Sequence, residues 1–208
     1  MAKWSDTTYD QNTKFTTPLP NKKFLASFPK DIKILDAGCG YGRVLRYLSD
    51  IGFKNIAGFD VSSDYIAQAK KTCPEAEVSV SSFEDFSPKD KYDLVLLMGV
   101  IEYILTDKAQ SIFFDKISKS LSQNGHVLLE TFTIDFKSGW KQYLLGVIRT
   151  LHFGRFKNSK GFECHHQSCT LLKKILQKYF SIEHDEKKDY QTWTGNIYHG
   201  YYFILRKK

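Results

Sequence analysis

A glycine-rich segment near the start of the chain constrains its fold and function more than any other feature. Residues 36–42 read Asp-Ala-Gly-Cys-Gly-Tyr-Gly, follow the strand-like run 32–36, and precede a helical pattern that begins at Val44. Glycines between a strand and a helix permit a tight turn and let a ligand approach the backbone closely. The segment therefore predicts a nucleotide-like ligand at the end of the first strand.

The spacing of this segment distinguishes between kinds of nucleotide ligand. In the dinucleotide pattern G-x-G-x-x-G, the pyrophosphate rests on the N-terminus of the following helix. Here Gly42 comes one residue early, and Arg43 occupies the position of the third glycine. The acidic Asp36 suits a ligand with an ammonium group better than it suits a pyrophosphate. Asp60, which ends the second strand-like run, can accept hydrogen bonds from both hydroxyls of a ribose. The pattern argues against NAD.

Strand-like and helical patterns alternate along the rest of the chain. Apolar runs typical of strands lie at 32–36, 55–60, 77–80, 92–98 and 126–132, with helical spacing between them. This alternation predicts an α/β fold with a mostly parallel sheet and helices on both faces.

The C-terminal part of the chain follows a different pattern. Thr106 and Ser168 are start signals for two helices. The runs 180–184 and 197–205 follow with no helix between them. They predict an antiparallel hairpin at the sheet edge, which brings the expected sheet to seven strands.

Composition narrows the class of protein. The 208 residues are 42% hydrophobic, without repeats or low-complexity linkers, which predicts a single domain. The first residues are polar, and no apolar run is long enough to span a membrane. Four cysteines are expected to be free thiols in a reducing compartment, so we expect a cytoplasmic protein.

Five segments resemble, in the same order, the motifs of the class I S-adenosylmethionine (SAM)-dependent methyltransferase superfamily. They are ILDAGCGYGRVLRYL, GFDVSSDYIAQAKK, SSFEDF, YDLVLLMGVIEYI and NGHVLLETF. The resemblance implies a Rossmann-like fold, SAM as the cofactor and S-adenosylhomocysteine (SAH) as the product. It implies cofactor-binding roles for Asp36, Ala37, Gly38, Cys39, Gly40, Asp60, Val61, Ser82, Phe83, Met98 and Gly99.

The resemblance also assigns parts of the cofactor to these residues. Asp36 would help to hold the methionine end, and Asp60 the ribose hydroxyls. Val61, Ser82 and Phe83 would contact adenine, whereas Met98 and Gly99 would flank the sulfonium.

The same resemblance divides the single domain 1–208 into parts. Residues 31–134 and 164–208 would form the core, and residues 135–163 would form an insertion that covers the substrate. Residues 1–30 would cover the cofactor, with Trp4 and Tyr9 either over the cofactor or simply packed against the core.

Methyl transfer requires neither a triad nor a metal, because the methyl group is already activated by a positive sulfur and alignment supplies much of the catalysis. An acceptor hydroxyl or thiol benefits from a nearby base. The candidates are Glu102, Tyr103, His165 and His166, each of which can equally have a structural role. The stretch from Cys164 to Cys169 contains zinc-ligand types but lacks a second ligand pair, so we expect no metal site.

The segment 136–162 is the best guide to the acceptor. It carries six Lys or Arg residues and no Asp or Glu, together with Trp140, Phe153 and Phe156. We expect a lid that favours a small, anionic and partly apolar acceptor, although a basic solvated face gives the same pattern. Contact with an anionic membrane is a second interpretation. RNA ranks third because no nucleic-acid module accompanies the segment. The alternative functions are methylation of RNA or protein, and SAM binding without catalysis.

Overall fold

The computed structural model describes residues 6, 19–88, 90–134, 141, 143–148, 152–158, 161–191 and 197–208. The described strands are β1 (Lys33–Ala37), β2 (Asn55–Asp60), β3 (Glu77–Val80), β4 (Tyr92–Met98), β5 (Leu121–Phe132), β6 (Arg155–Lys157), β7 (Glu163–His165), β8 (Phe180–Gln191) and β9 (Ile197–Lys207). The described α-helices are α1 (Lys22–Leu25), α2 (Arg43–Asp50), α3 (Ser63–Thr72), α4 (Asp107–Ser120) and α5 (Cys169–Leu176). Residues 143–148, here called the lid helix, are also helical.

Seven strands form one sheet in the order β3-β2-β1-β4-β5-β9-β8. The first five pair in parallel, β9 pairs antiparallel with β5, and β8 pairs antiparallel with β9. The predicted α/β fold, with its edge hairpin, is confirmed. Strand order reverses at β1, which pairs with β2 on one side and β4 on the other. Such a switch point opens a crevice at the carboxyl ends of the strands, where ligands bind in open α/β sheets.

The core lies on both faces of the sheet, as the long apolar run of β4 predicts. Leu94 and Leu96 pack with α2 and α3 on one face, whereas Val95 and Leu97 pack with α4 and α5 on the other. All four side chains are completely buried. Successive side chains of a strand point to opposite faces, so a strand covered on both sides needs an unbroken apolar run.

The predicted helix starts are confirmed by their capping bonds. The hydroxyl of Thr106 accepts a hydrogen bond from the Ala109 N–H at 3.0 Å, and that of Ser168 accepts one from the Leu171 N–H at 3.2 Å. These bonds satisfy N–H groups that the first turn of a helix otherwise leaves without partners. None of the described helices is long and apolar enough to cross a membrane.

The final hairpin is longer than predicted. We expected the first of its strands to end near His184, but β8 continues to Gln191 through the charged stretch 184–189. Charged side chains are compatible with an edge strand because its outer side faces water, and they discourage pairing with another sheet. A small second sheet, β6 with β7, lies in the insertion after β5.

Removal of a core side chain tests this packing. Leu96→Ala should lower the free energy of unfolding by about 2–5 kcal/mol, since it leaves a cavity between the sheet and α2. Ile112→Ala on the exposed side of α4 is the control, because Ile112 is 51% exposed. It should change stability by no more than about 0.5 kcal/mol. Urea denaturation followed by circular dichroism measures both; equal losses would contradict the packing described.

Candidate functional site

A cleft opens at the carboxyl ends of β1, β2 and β4 and encloses about 940 Å³, including the part open to solvent. Its lining residues are Asp36, Gly38, Cys39, Gly40, Arg43, Val44, Phe59, Asp60, Val61, Tyr65, Ser81, Phe83, Met98, Gly99, Val100, Glu102, Tyr103 and Phe132. Nine of the eleven cofactor-binding residues implied by the sequence are among them.

The glycine loop forms the floor of the cleft. The N–H groups of Gly38 and Cys39 both donate to the carbonyl of Phe59, at 2.8 and 2.9 Å, and tie the loop to β2. Gly38 has a φ of 83°, and a Cβ there would lie 2.7 Å from the side chain of Val100. A side chain at this position would therefore be both strained and obstructed. At Gly38 the loop therefore presents backbone without a side chain beneath the space where a ligand would lie.

The carboxyl group of Asp36 is the most unusual group of the site. It is 2% exposed, and its Oδ2 is buried without a hydrogen-bond partner among the described residues. Burial raises its pKa to about 7, opposed by the nearby Arg43 and assisted by the negative charge of Asp60. A buried carboxylate oxygen is costly unless a donor or cation satisfies it. A ligand ammonium group fits this requirement.

Asp60 is held in place by the backbone. Its Oδ2 accepts a hydrogen bond from the Gly40 N–H at 3.0 Å, and its Oδ1 accepts one from the Ser62 N–H at 2.9 Å. Burial raises the pKa of Asp60, while these backbone donors lower it. Each carboxylate oxygen can accept a further bond. The half-buried carboxylate is therefore fixed at the cleft wall with acceptor capacity to spare, as two ribose hydroxyls would require.

Two of the implied cofactor residues do not line the cleft. Ala37 is completely buried within β1. The hydroxyl of Ser82 donates to Asp85 Oδ2 at 2.8 Å and accepts from the Asp85 N–H at 3.1 Å, which occupies it in a local turn. Its neighbour Ser81 lines the cleft instead, next to Phe83. The structure brings these two implied residues near the cleft without placing them on its surface.

Several lining residues were missed by sequence reasoning. They are Arg43, Val44, Phe59, Tyr65, Ser81, Val100 and Phe132. Tyr65 could have been found, because it lies one helical turn after the Ser62 cap of α3 and therefore near Asp60. Phe132, at the far end of β5, has no local signal that would place it beside β4.

Glu102 and Tyr103 line the cleft, in a 3-10 turn directly after β4. The Glu102 side chain is buried, and its Oε2 accepts a hydrogen bond from the Thr131 hydroxyl at 3.0 Å. Burial raises its pKa to about 7, with a smaller contribution from the charge of Glu130. A carboxyl group in this state exchanges its proton near neutral pH, which suits a general base. Burial also raises the pKa of Tyr103 well above its usual value.

The two histidines lie away from the lining of the cleft. His165 Nε2 is 3.0 Å from Asp107 Oδ1 at the start of α4. His166 Nδ1 is 3.0 Å from the Tyr143 hydroxyl, and its ring stacks on Phe132 with centroids 5.8 Å apart. Burial lowers the pKa of His166 to about 3, so its ring is neutral. In this arrangement both histidines attach the lid to the core.

The covering segments are described only in part. Trp4 and Tyr9, together with Lys137, Trp140, Arg149 and Lys160 of the lid, lie outside the described residues. The described lid cations, Lys141, Arg155 and Lys157, are not among the residues that line the cleft. Within the described ranges, no three His, Cys, Asp or Glu side chains are grouped as metal ligands.

The chain is similar to known methyltransferases. The family described as a methyltransferase domain matches residues 11–181. The ubiquinone biosynthesis O-methyltransferase of Bradyrhizobium diazoefficiens is 26% identical over 121 residues, which cover 56% of this chain and 45% of that protein. The chain thus spans less than half the length of this relative.

Solved structures share the fold. A SAM-dependent methyltransferase from Methanosarcina mazei superposes with a TM-score of 0.83 at 23% identity, over 91% of this chain and 99% of its own. The magnesium protoporphyrin IX methyltransferase of Synechocystis PCC 6803, solved with bound SAH, gives a TM-score of 0.65 at 21% identity. The match covers 89% of this chain and 78% of that chain.

The buried carboxyl group of Asp36 predicts a pH dependence of SAH binding. Only its ionised form attracts an ammonium group, so affinity should rise as pH increases through about 7. Asp36→Asn should weaken binding by about 1.5–3 kcal/mol and flatten this dependence. Calorimetric titrations on either side of neutral pH measure both effects, with Asp31→Asn, an exposed residue, as the control. An unchanged affinity in Asp36→Asn would remove this group from the site.

Proposed function

The chain belongs to the family of methyltransferase domains, and we propose on this basis that it transfers a methyl group from SAM to a hydroxyl of a small acceptor with an apolar body. One observation carries the cofactor half of this proposal. The buried Oδ2 of Asp36 has no partner in the described part of the chain, and Asp36 lines the same cleft as the side-chain-free residues Gly38 and Gly40. A nucleoside that carries an amino acid matches these features. Its ammonium group suits the Asp36 oxygen, and its ribose suits the fixed carboxylate of Asp60.

The chain offers a separate place for each part of the donor. Asp36 would hold the ammonium group, and the backbone of Gly38 and Gly40 would lie beneath the methionine part. Asp60 would accept the ribose hydroxyls, and Phe83 would lie against adenine with Val61. The structure with SAH among the fold neighbours supports this choice of ligand.

The acceptor end of the cleft has apolar walls. Val100, Tyr103 and Phe132 line it, at the end where Met98 and Gly99 close β4. These side chains favour a small acceptor with an apolar or aromatic body over a charged polymer. Arg43 is the cation that the described residues contribute to the lining. The anionic character of the acceptor, predicted from the lid, stays a prediction.

Glu102 is the residue that we propose as the general base. SAM supplies a methyl group on a positively charged sulfur, so the chain has to align the acceptor oxygen and exclude water. The carboxylate of Glu102 would take the hydroxyl proton as the oxygen becomes bonded to carbon. Thr131 donates to one carboxylate oxygen and thereby orients the other. The O-methyltransferase among the relatives supports an oxygen acceptor.

Radiolabelled SAM and a cell extract test this function directly. The account expects label in the low-mass, solvent-extractable fraction, together with release of SAH. Label in the high-mass fraction would contradict a small acceptor and favour RNA or protein. Tight binding of SAM without SAH release from any extract would instead indicate a binding protein without transferase activity.

Replacement of the proposed base has a specific kinetic result. With the unlabelled low-mass fraction of the same extract as acceptor, Glu102→Gln should lower the rate of SAH release by about 100-fold or more. Its SAH affinity should match that of the parent protein, because Glu102 serves the acceptor. At saturating SAM, where the ionisation of Asp36 no longer limits cofactor binding, the parent rate should rise with pH through about 7, where Glu102 loses its proton. The rate of the variant should lack this rise.

Glu77→Gln, at the exposed start of β3 and far from the carboxyl ends of the strands, is the matched control. It should behave like the parent protein in every one of these measurements. A Glu102→Gln variant that retains both the full rate and the pH profile would exclude Glu102 as the base.

A further inference from the structure

The outer face of the lid carries large apolar side chains that point into solvent. Leu144, Leu145 and Ile148 on the lid helix are 53%, 51% and 69% exposed, and the nearby Phe153 is 51% exposed. Positions 144, 145 and 148 share one side of a helix, because residues three and four apart are neighbours on its surface. These four residues are here called the outer lid surface. Large apolar groups clustered on a surface indicate a contact with a partner or a membrane.

The orientation of the outer lid surface is fixed by contacts on the opposite side of the lid helix. Gly146 packs so closely on β6 that a Cβ would lie 1.7 Å from the carbonyl oxygen of Arg155. Tyr143 is buried, with its hydroxyl 3.0 Å from His166 Nδ1 and its ring 5.7 Å from that of Phe156. The lid helix cannot turn its leucines inward without losing these contacts. The exposed position of this apolar face therefore follows from the way the lid helix packs on the rest of the fold.

The charge of the surrounding segment indicates what this surface contacts. Between residues 136 and 162 the sequence contains six Lys or Arg residues and no Asp or Glu. Lys157, at the end of β6, is exposed. A second copy of this chain would bring like charges together, which opposes self-association through this face. Exposed aliphatic side chains in a segment that carries cations match a bilayer with anionic headgroups, where the apolar groups enter the acyl boundary and the cations meet the phosphates.

We propose that the outer lid surface seats the protein on anionic lipid bilayers. Leucine and isoleucine side chains enter the bilayer interface, and the exposed cations Lys141 and Lys157 contact the headgroups. Single-stranded RNA is the less suitable partner, because it is held by stacking on aromatic rings and three of the four side chains are aliphatic. This inference does not depend on methyl transfer, since binding to lipid requires no reaction.

The position of this surface connects it to the cleft. Tyr143 bonds to His166, and His166 stacks on Phe132, which lines the cleft. Tyr143 and His166 thus connect the lid helix, which carries the outer lid surface, to the proposed acceptor end. A protein held on a bilayer by this surface has its acceptor end close to the lipid.

Co-sedimentation of the full-length protein with vesicles tests the proposal. At low salt, the protein should pellet with vesicles of equal parts phosphatidylcholine and phosphatidylglycerol, and much less with phosphatidylcholine alone. Higher salt should weaken the binding, because screening reduces the attraction between cations and headgroups. Leu144→Ser combined with Ile148→Ser should reduce the affinity for the mixed vesicles by about tenfold or more, since two apolar anchors are lost.

The matched control removes two exposed apolar side chains elsewhere on the surface. Ile112→Ser combined with Leu171→Ser, on α4 and α5, should bind the mixed vesicles like the parent protein. Thermal unfolding of both variants checks that each remains folded. SAH titration provides a separate readout, so loss of lipid binding with intact SAH binding is attributed to the surface and not to the cleft.

Three results would overturn the proposal. The first is a parent protein that does not pellet with the mixed vesicles at low salt. The second is a folded Leu144→Ser, Ile148→Ser variant that binds them as the parent does. The third is binding of a single-stranded RNA oligonucleotide by a parent protein that ignores the vesicles, which would assign the basic segment to nucleic acid.

Discussion

The site depends on one buried charge. Asp36 lies near the carboxyl end of β1, which pairs with β2 on one side and β4 on the other, and it is 2% exposed. The unfavourable burial is compensated only in part by Arg43. A cationic ligand in the cleft would relieve it, so the same desolvation that disfavours the empty carboxylate would favour the ligand. In the proposed binding mode, the glycine loop and Asp60 would select the shape of the ligand around this charge.

Three carboxyl groups, those of Asp36, Asp60 and Glu102, line the cleft. Burial raises the pKa of Asp36 and of Glu102, and a neighbouring negative charge adds to this effect: that of Asp60 for Asp36, and that of Glu130 for Glu102. Glu130 is in turn held by the hydroxyl of Tyr190, which reaches it from the edge hairpin. A cleft with this balance of charge favours a positively charged methyl donor and leaves a carboxyl group near neutrality for proton transfer. The same group of carboxyl groups would therefore serve both donor binding and proton removal in the proposed reaction.

Local sequence predicted the cleft residues of the glycine loop and of the ends of β2 and β4, but not Phe132 at the end of β5. The superfamily resemblance, the predicted sheet and the predicted edge hairpin are confirmed. They could be predicted because the glycine loop, Asp60 and the alternating strand and helix patterns are local features of the sequence. Phe132 and Tyr190 reach the site through strand pairing across the sheet, which local spacing does not encode. The two histidines were candidates by residue type and by their position before the last helix. Their contacts with Asp107 and Tyr143 arise only when the lid folds onto α4.

The most direct test of the central claim is a crystal structure of the protein with SAH bound. The account predicts the ligand amino group within about 3 Å of Asp36 Oδ2, the usual distance of a charge-assisted hydrogen bond. It also predicts both ribose hydroxyls on the carboxylate of Asp60 and the sulfur beside Met98 and Gly99. A ligand bound elsewhere, or one bound in the cleft with its amino group turned away from Asp36, would contradict the account.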